Sequence, residues 1–206
     1  MIYKIRNINY YGGNYLKSFY NYIYAAKKLK ISKYRRIDKI SSSIVGEIIL
    51  SELINENFHI NYSDLTFEIN DYGKPYISGN QFYYNISHSF EYIITTISNN
   101  EIGVDIEKIR ETSIKNIRHF ATDKEQLYIL SSNNDIEKRL FQIYTLKEAY
   151  FKMKGSNLNM IKDVEFTIND DIVICSDKNV SAYFINDMHD YVIAICENKR
   201  VNKHST

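Results

Sequence analysis

Leu65-Thr66-Phe67-Glu68-Ile69-Asn70-Asp71 is repeated as Val164-Glu165-Phe166-Thr167-Ile168-Asn169-Asp170, 99 positions later. The same offset aligns Tyr84, Ile86, Tyr92, Ile93 and Ile94 with Tyr183, Ile185, Tyr191, Val192 and Ile193. One such match is unremarkable in a chain with 19 tyrosines, but two in one register point to an internal duplication. Each copy is about the length of a small domain.

The flanking patterns agree with this. Tyr15–Leu29 and Lys39–Ile54 carry apolar residues at three- and four-residue spacing, which predicts amphipathic helices. Leu65–Asn70, Tyr83–Ser87, Tyr92–Ser98 and Ile102–Glu107 are rich in β-branched and aromatic residues, which predicts strands. In the second half Ile114–Phe120, Asp123–Leu130 and Asp135–Met153 read as helices, with Gly155 as the stop of the last. Strands are expected at Val164–Ile168, Ile172–Cys175, Ser181–Ile185 and Tyr191–Cys196. Helices followed by antiparallel strands, twice over, predict an α+β protein made as a pseudo-dimer of two similar lobes, 1–101 and 102–206. Each lobe would pack its helices on an antiparallel sheet. No Pro/Gly/Ser-rich linker divides them, so a ligand cleft is expected between the lobes.

Composition narrows the function classes. A net charge of +1 disfavours a general nucleic-acid binder, which needs a clear cationic excess. Cys175 and Cys196 both lie in apolar runs and read as buried free thiols, and no Cys/His spacing suggests a metal cluster. The start lacks the apolar run of a signal peptide, and no stretch approaches about 18 apolar residues. The expectation is a cytoplasmic monomer, with neither nucleic acid nor membrane as partner.

Two segments carry acid chemistry. In Ile102-Gly103-Val104-Asp105-Ile106-Glu107 the strand period places Asp105 and Glu107 on one face and Val104 and Ile106 on the other. Two carboxylates roughly 7 Å apart on a strand repel unless a cation is near, and hard cations such as Mg²⁺ take oxygen ligands. A solvated acidic strand face is the plainer alternative. On the predicted long helix, Glu148 and Lys152 stand four apart and share a face, beside Lys147. They suit either a surface ion pair or a carboxylate and an ammonium aimed into a phosphate site.

Basic and polar candidates lie in the first half. Gly73-Lys74-Pro75 predicts a turn displaying Lys74. Ser87 and His88, adjacent at a strand end, point to opposite faces and cannot pair as nucleophile and base, although both suit phosphate contacts. Lys27, Lys28, Lys30, Lys33, Arg35 and Arg36 make one strongly basic segment, read as a solvated face or a meeting place for a polyanion.

Four segments taken in order resemble the motif set of the surfactin-type phosphopantetheinyl transferases. They are Gly73–Pro75, Asn85-Ile86-Ser87-His88-Ser89, Ile102–Glu107 and Tyr144-Thr145-Leu146-Lys147-Glu148-Ala149-Tyr150-Phe151-Lys152-Met153-Lys154-Gly155. The resemblance spans nearly the whole chain, and that family too is built from two similar lobes. It implies Mg²⁺, or Mn²⁺, held by Asp105, Glu107 and Glu148, and coenzyme A phosphates held by Lys74, Ser87, His88 and Lys152, with Lys27 and Lys30 near the adenosine end. Glu148 is implied as base and Lys152 as catalytic cation. The implied reaction moves 4'-phosphopantetheine from coenzyme A to a serine of an apo acyl or peptidyl carrier protein, releasing 3',5'-ADP. A non-catalytic module binding carrier proteins or nucleotides on the same fold is the alternative. Three departures stand out: Tyr144 where the family has Trp, His119-Phe120-Ala121-Thr122 for a Phe-Phe-Ser run before Glu125, and Ser42 where members carry a basic residue.

Overall fold

The structure is a computed structural model that describes residues 1–79, 82–132, 134–156, 160–170 and 172–199. It divides into two compact units, Met1–Asn99 and Asn100–Thr206. No helix among the described residues is long and apolar enough to cross a membrane.

The first unit contains β1 (Ile2–Asn7), α1 (Gly13–Tyr20), α2 (Ala25–Ser32), α3 (Ile37–Phe58), β2 (Phe67–Ile69), β3 (Pro75–Ile77), β4 (Tyr83–Ser89) and β5 (Tyr92–Ser98). Its main sheet is antiparallel in the order β1-β5-β4, and α3 lies across it. Val45, Ile49, Leu53 and Ile54 of α3 join Tyr84, Ile93 and Ile97 of the sheet in the core. β2 and β3 form a separate hairpin whose turn is built by Asn70: its Oδ1 accepts from the backbone N–H of Tyr72 and of Lys74, and Gly73 adopts φ +84°.

The second unit contains β6 (Ile102–Lys108), α4 (Ile117–Phe120), α5 (Asp123–Leu130), α6 (Ile136–Lys154), β7 (Phe166–Asn169), β8 (Ile172–Cys175), β9 (Val180–Ile185) and β10 (Tyr191–Asn198). Its sheet runs β6-β10-β9, α6 lies across β6 and β10, and β7–β8 is the hairpin. One long helix on a three-stranded antiparallel sheet with a side hairpin occurs in both units, so the duplication read from Leu65–Asp71 and Val164–Asp170 is a duplication of topology. Gly155 closes α6 in the left-handed conformation at φ 59°, as its position predicts.

Three expectations need correction, and one strand was not expected. Tyr15–Leu29 is two helices, because the chain turns at Asn21–Tyr24 to bury Ile23 against Ile31, Ile44 and Ile48, a tertiary demand that overrides local helix spacing. β1 is a strand that its own sequence does not announce; it exists through pairing with β5, Ile2 opposite Ile97. Ile114–Phe120 begins as a 3₁₀ turn over Ile114–Asn116, and only Ile117–Phe120 is α-helical. Finally, the offset of 99 is one residue out for β4 and β9. Tyr84 pairs with Ile97, whereas Tyr183 pairs with Ile195, the counterpart of Thr96. A slip of one residue exchanges the faces of a strand. Accordingly Tyr84 is buried and Tyr183 only half-buried.

Candidate functional site

The acidic strand and the long helix of the second unit are brought together by Gly103. A Cβ built there stands 2.0 Å from the Ala149 carbonyl oxygen and 2.4 Å from the Met153 amide nitrogen, so only glycine lets α6 lie this close to β6. Gly103, Asp105 and Glu107 face α6 together with Cys196, Ala194 and Val192, their register partners on β10. Val104 and Ile106, on the other face, are fully buried. The strand alternation is as the spacing predicts. The acidic face, however, meets a helix.

That helix face presents Tyr144, Glu148 and Lys152, each four residues from the next. Lys152 Nζ donates to Asp105 Oδ1 at 2.6 Å, with Asp105 only 4% exposed. The Tyr144 hydroxyl donates to Glu148 Oε1 at 3.1 Å. Glu107 Oε2 pairs with Arg110 at 3.0 Å, and that guanidinium lies over the Phe141 ring. Burial pushes the Glu148 carboxyl up, the Asp105 charge pushes it further, and Lys152 and Tyr144 hold it back. The Tyr144 hydroxyl is raised by burial and then by Glu148, with smaller contributions from Asp105 and Glu107. Asp105, Glu107 and Glu148 thus share one electrostatic site. Tyr144, the departure from Trp, keeps an aromatic edge on Phe120 and adds a hydroxyl that Trp lacks.

Among the described residues no group of three His, Cys, Asp or Glu side chains converges closely enough to hold a metal as they stand. The donor set nevertheless fits a hard divalent cation: oxygen ligands only, partly buried, with a mutual repulsion that a cation relieves. As they stand, these carboxylates are turned towards Lys152, Arg110 and Tyr144.

Lys147, beside Glu148 in sequence, points the other way. It is fully buried, pairs with Glu125 at 2.8 Å, and donates to the Val164 and Ile161 carbonyls at 2.6 and 3.1 Å. Glu125 also accepts from the backbone N–H of Thr122 and of Phe166, at 2.7 and 2.8 Å. This knot joins α5, α6 and the start of β7 and fixes the rotation of α6, hence the direction of Glu148. Thr122-x-x-Glu125 is the capping-box pattern, so the start of α5 was readable; the partnership with Lys147 was not.

The remaining candidates lie in the first unit. Lys74 follows the β2–β3 turn, and Ser87 and His88 sit on β4, one buried and one exposed, as adjacent strand residues should be. Lys30 is exposed on α2. Lys27 is engaged: its ammonium lies 2.9 Å from the fully buried carboxylate of Glu47, which also accepts from the Tyr62 hydroxyl at 2.8 Å. Burial, and then the Glu47 charge, raises the hydroxyls of Tyr24, Tyr62 and Tyr84 around it.

Comparison with known proteins gives matches in both units. The 4'-phosphopantetheinyl transferase superfamily model matches residues 101–196, and the model described as 4'-phosphopantetheinyl transferase, N-terminal, matches residues 14–100. The chain is 30% identical to the 4'-phosphopantetheinyl transferase gsp of Aneurinibacillus migulanus, over 64% of this chain and 56% of the relative. It is 28% identical to ffp of Bacillus subtilis, over 69% of this chain and 65% of the relative. It is 26% identical to Sfp of Bacillus subtilis strain 168, over 70% of this chain and 66% of the relative. The match thus spans less than two thirds of each relative's own length.

Proposed function

The chain belongs to the 4'-phosphopantetheinyl transferase superfamily, and from that premise we propose that it transfers 4'-phosphopantetheine from coenzyme A to a serine of an apo acyl or peptidyl carrier protein. The observation that carries this reading is the gathering of Asp105, Glu107, Glu148 and Lys152 between β6 and α6, where Gly103 lets the helix approach. A structural ion pair alone would need one carboxylate; here the charges of Asp105 and Glu107 both reach Glu148.

Asp105, Glu107 and Glu148 would hold Mg²⁺ or Mn²⁺. When bound, the ion supplies neutralisation of charge on the diphosphate of coenzyme A. The chain's own groups do the rest. The carrier serine Oγ forms a bond to the β-phosphorus, the bond from that phosphorus to the bridging oxygen breaks, and 3',5'-ADP leaves with the electron pair. Glu148 takes the serine proton directly or through water. Lys152 places fixed positive charge beside Asp105. Lys74, Ser87, His88 and Lys152 would contact coenzyme A phosphates, with Lys30 and Lys27 near the adenosine end, Lys27 being paired with Glu47. Lys115, Arg118 and Lys124 offer positive charge to an acidic carrier, although Lys124 is already held by Glu165 at 2.9 Å. A cytoplasmic monomer suits this role.

Mass spectrometry of an apo carrier protein incubated with the chain, coenzyme A and Mg²⁺ tests the proposal. The expected result is one phosphopantetheine adduct on the carrier, lost when Mg²⁺ is withheld. An unmodified carrier across acyl and peptidyl types would leave a non-catalytic binding module as the better reading.

A further inference from the structure

A second feature belongs to the helices of the first unit. Leu16 and Tyr20 of α1, Ile31 of α2, Tyr34, and Ile37 and Ile44 of α3 line a groove of about 550 Å³. This is within the size range of small-ligand sites, and most of the lining is apolar. Ile37, at the first turn of α3, stands 80% exposed on its wall. Such an apolar surface left in water is a place for a ligand.

Its polar fittings are sparse. Ser32 turns its hydroxyl back to the Leu29 carbonyl at 2.9 Å. Among the described residues lining the groove, Lys17 alone is charged; it lies in the last turn of α1 and is exposed. The surroundings are one-sided in charge. Residues 17–39 hold eight Lys or Arg and a single acid, Asp38; Arg36 pairs with Asp38 and Lys27 with Glu47 outside the segment, and the segment keeps a net positive charge while the rest of the chain is net acidic. The positive field of that segment draws anions to the groove. One cation at the edge of an apolar trough is complementary to one anionic head on one apolar tail. A polyanion such as a nucleotide would find one charged partner and an apolar floor, and a neutral chain would make no use of Lys17.

We propose that this groove binds a medium-chain carboxylate, its alkyl chain lying along Leu16, Ile31 and Ile44 and its head group meeting Lys17. The proposal goes beyond the transfer reaction and does not depend on it.

Calorimetry and methyl NMR with decanoate, kept below its aggregation concentration and with neither coenzyme A nor carrier present, test this directly. One saturable site is expected, with the methyls of Ile31, Ile37 and Ile44 shifting while those of Ile129 and Ile193 in the second unit stay still. Lys17→Glu, a surface change that spares the fold, should weaken binding about 10-fold, as loss of one charge-assisted hydrogen bond does. Decyltrimethylammonium should bind about 10-fold more weakly than decanoate. Absence of saturation, shifts spread over both units, or indifference to Lys17→Glu and to the sign of the head group would each overturn the proposal. Sedimentation with phosphatidylglycerol vesicles but no binding of monomeric decanoate would assign the face to a bilayer and overturn it too. Because no component of the transfer reaction is present, failure here leaves the transferase reading untouched.

Discussion

Gly103 on β6 lies so close beneath Ala149 on α6 that a single added carbon would stand 2.0 Å from the helix carbonyl oxygen. The obstructing atoms are backbone, so no side chain can swing away to make room. Gly103→Ala must lift α6 from the sheet, with an expected loss of about 3 kcal/mol, the upper end of ordinary overpacking. Denaturant unfolding measures it. An alanine variant as stable as the parent would mean that the strand and helix do not approach as closely as described.

The pairing of Lys152 with Asp105 separates two roles. Lys152→Ala removes a cation that competes with a metal for Asp105, so Mn²⁺ affinity read by electron paramagnetic resonance should hold or rise while transfer falls by about 100-fold or more, as for loss of a preorganised charge in an active site. Asp105→Ala should lose both metal binding and transfer while keeping the fold. A metal-independent, active Asp105→Ala enzyme contradicts the proposed function.

Glu148 gives the site a pH dependence of known sign. Burial and Asp105 raise its folded pKa above the ordinary 4.5, so between those two values the folded state binds more protons than the unfolded one. Its contribution to stability is therefore full below about pH 4.5 and fades as pH rises through the raised value. Metal-free Glu148→Gln should match the parent in melting temperature at low pH and exceed it at neutral pH. Mg²⁺ should raise the melting temperature of the parent at neutral pH and leave the variant nearly unchanged. An unchanged difference across that pH range would place the Glu148 carboxylate in an ordinary solvated environment.

The buried pair Lys147–Glu125 should behave as a structural device rather than a catalytic one. Lys147→Met leaves the Glu125 charge buried with only backbone N–H partners, and a loss of about 3 kcal/mol is expected. Replacing both residues, Lys147→Met with Glu125→Gln, should recover part of that loss, since the glutamine carries no charge to strand. Urea titrations of the two variants decide it. If the double variant is the less stable one, the backbone hydrogen bonds of Glu125 matter more than its charge.

Lys27 and Lys30, three residues apart on α2, should differ sharply. Lys27→Met strands the fully buried Glu47 and should cost about 3 kcal/mol, whereas Lys30→Ala should leave stability within about 0.5 kcal/mol. Thermal unfolding of the pair of variants checks this. Equal stability would mean that the Glu47 pair contributes nothing and that Lys27 is a ligand contact alone.

The residue order by itself determined the duplicated α+β plan and the two halves of the acidic site. Alternation fixes which side of the strand Asp105 and Glu107 share, and helical spacing fixes that Glu148 and Lys152 share a stripe, because both are local consequences of backbone geometry. Tertiary structure alone decided that this strand face and this stripe meet, through an absent side chain at Gly103, and that Lys147 turns inward to Glu125. It likewise decided that Lys27 serves Glu47, that β1 exists, and that β9 is slipped by one residue against β4. Each of these depends on partners 12 to 95 positions away, whose distance in space no local pattern encodes.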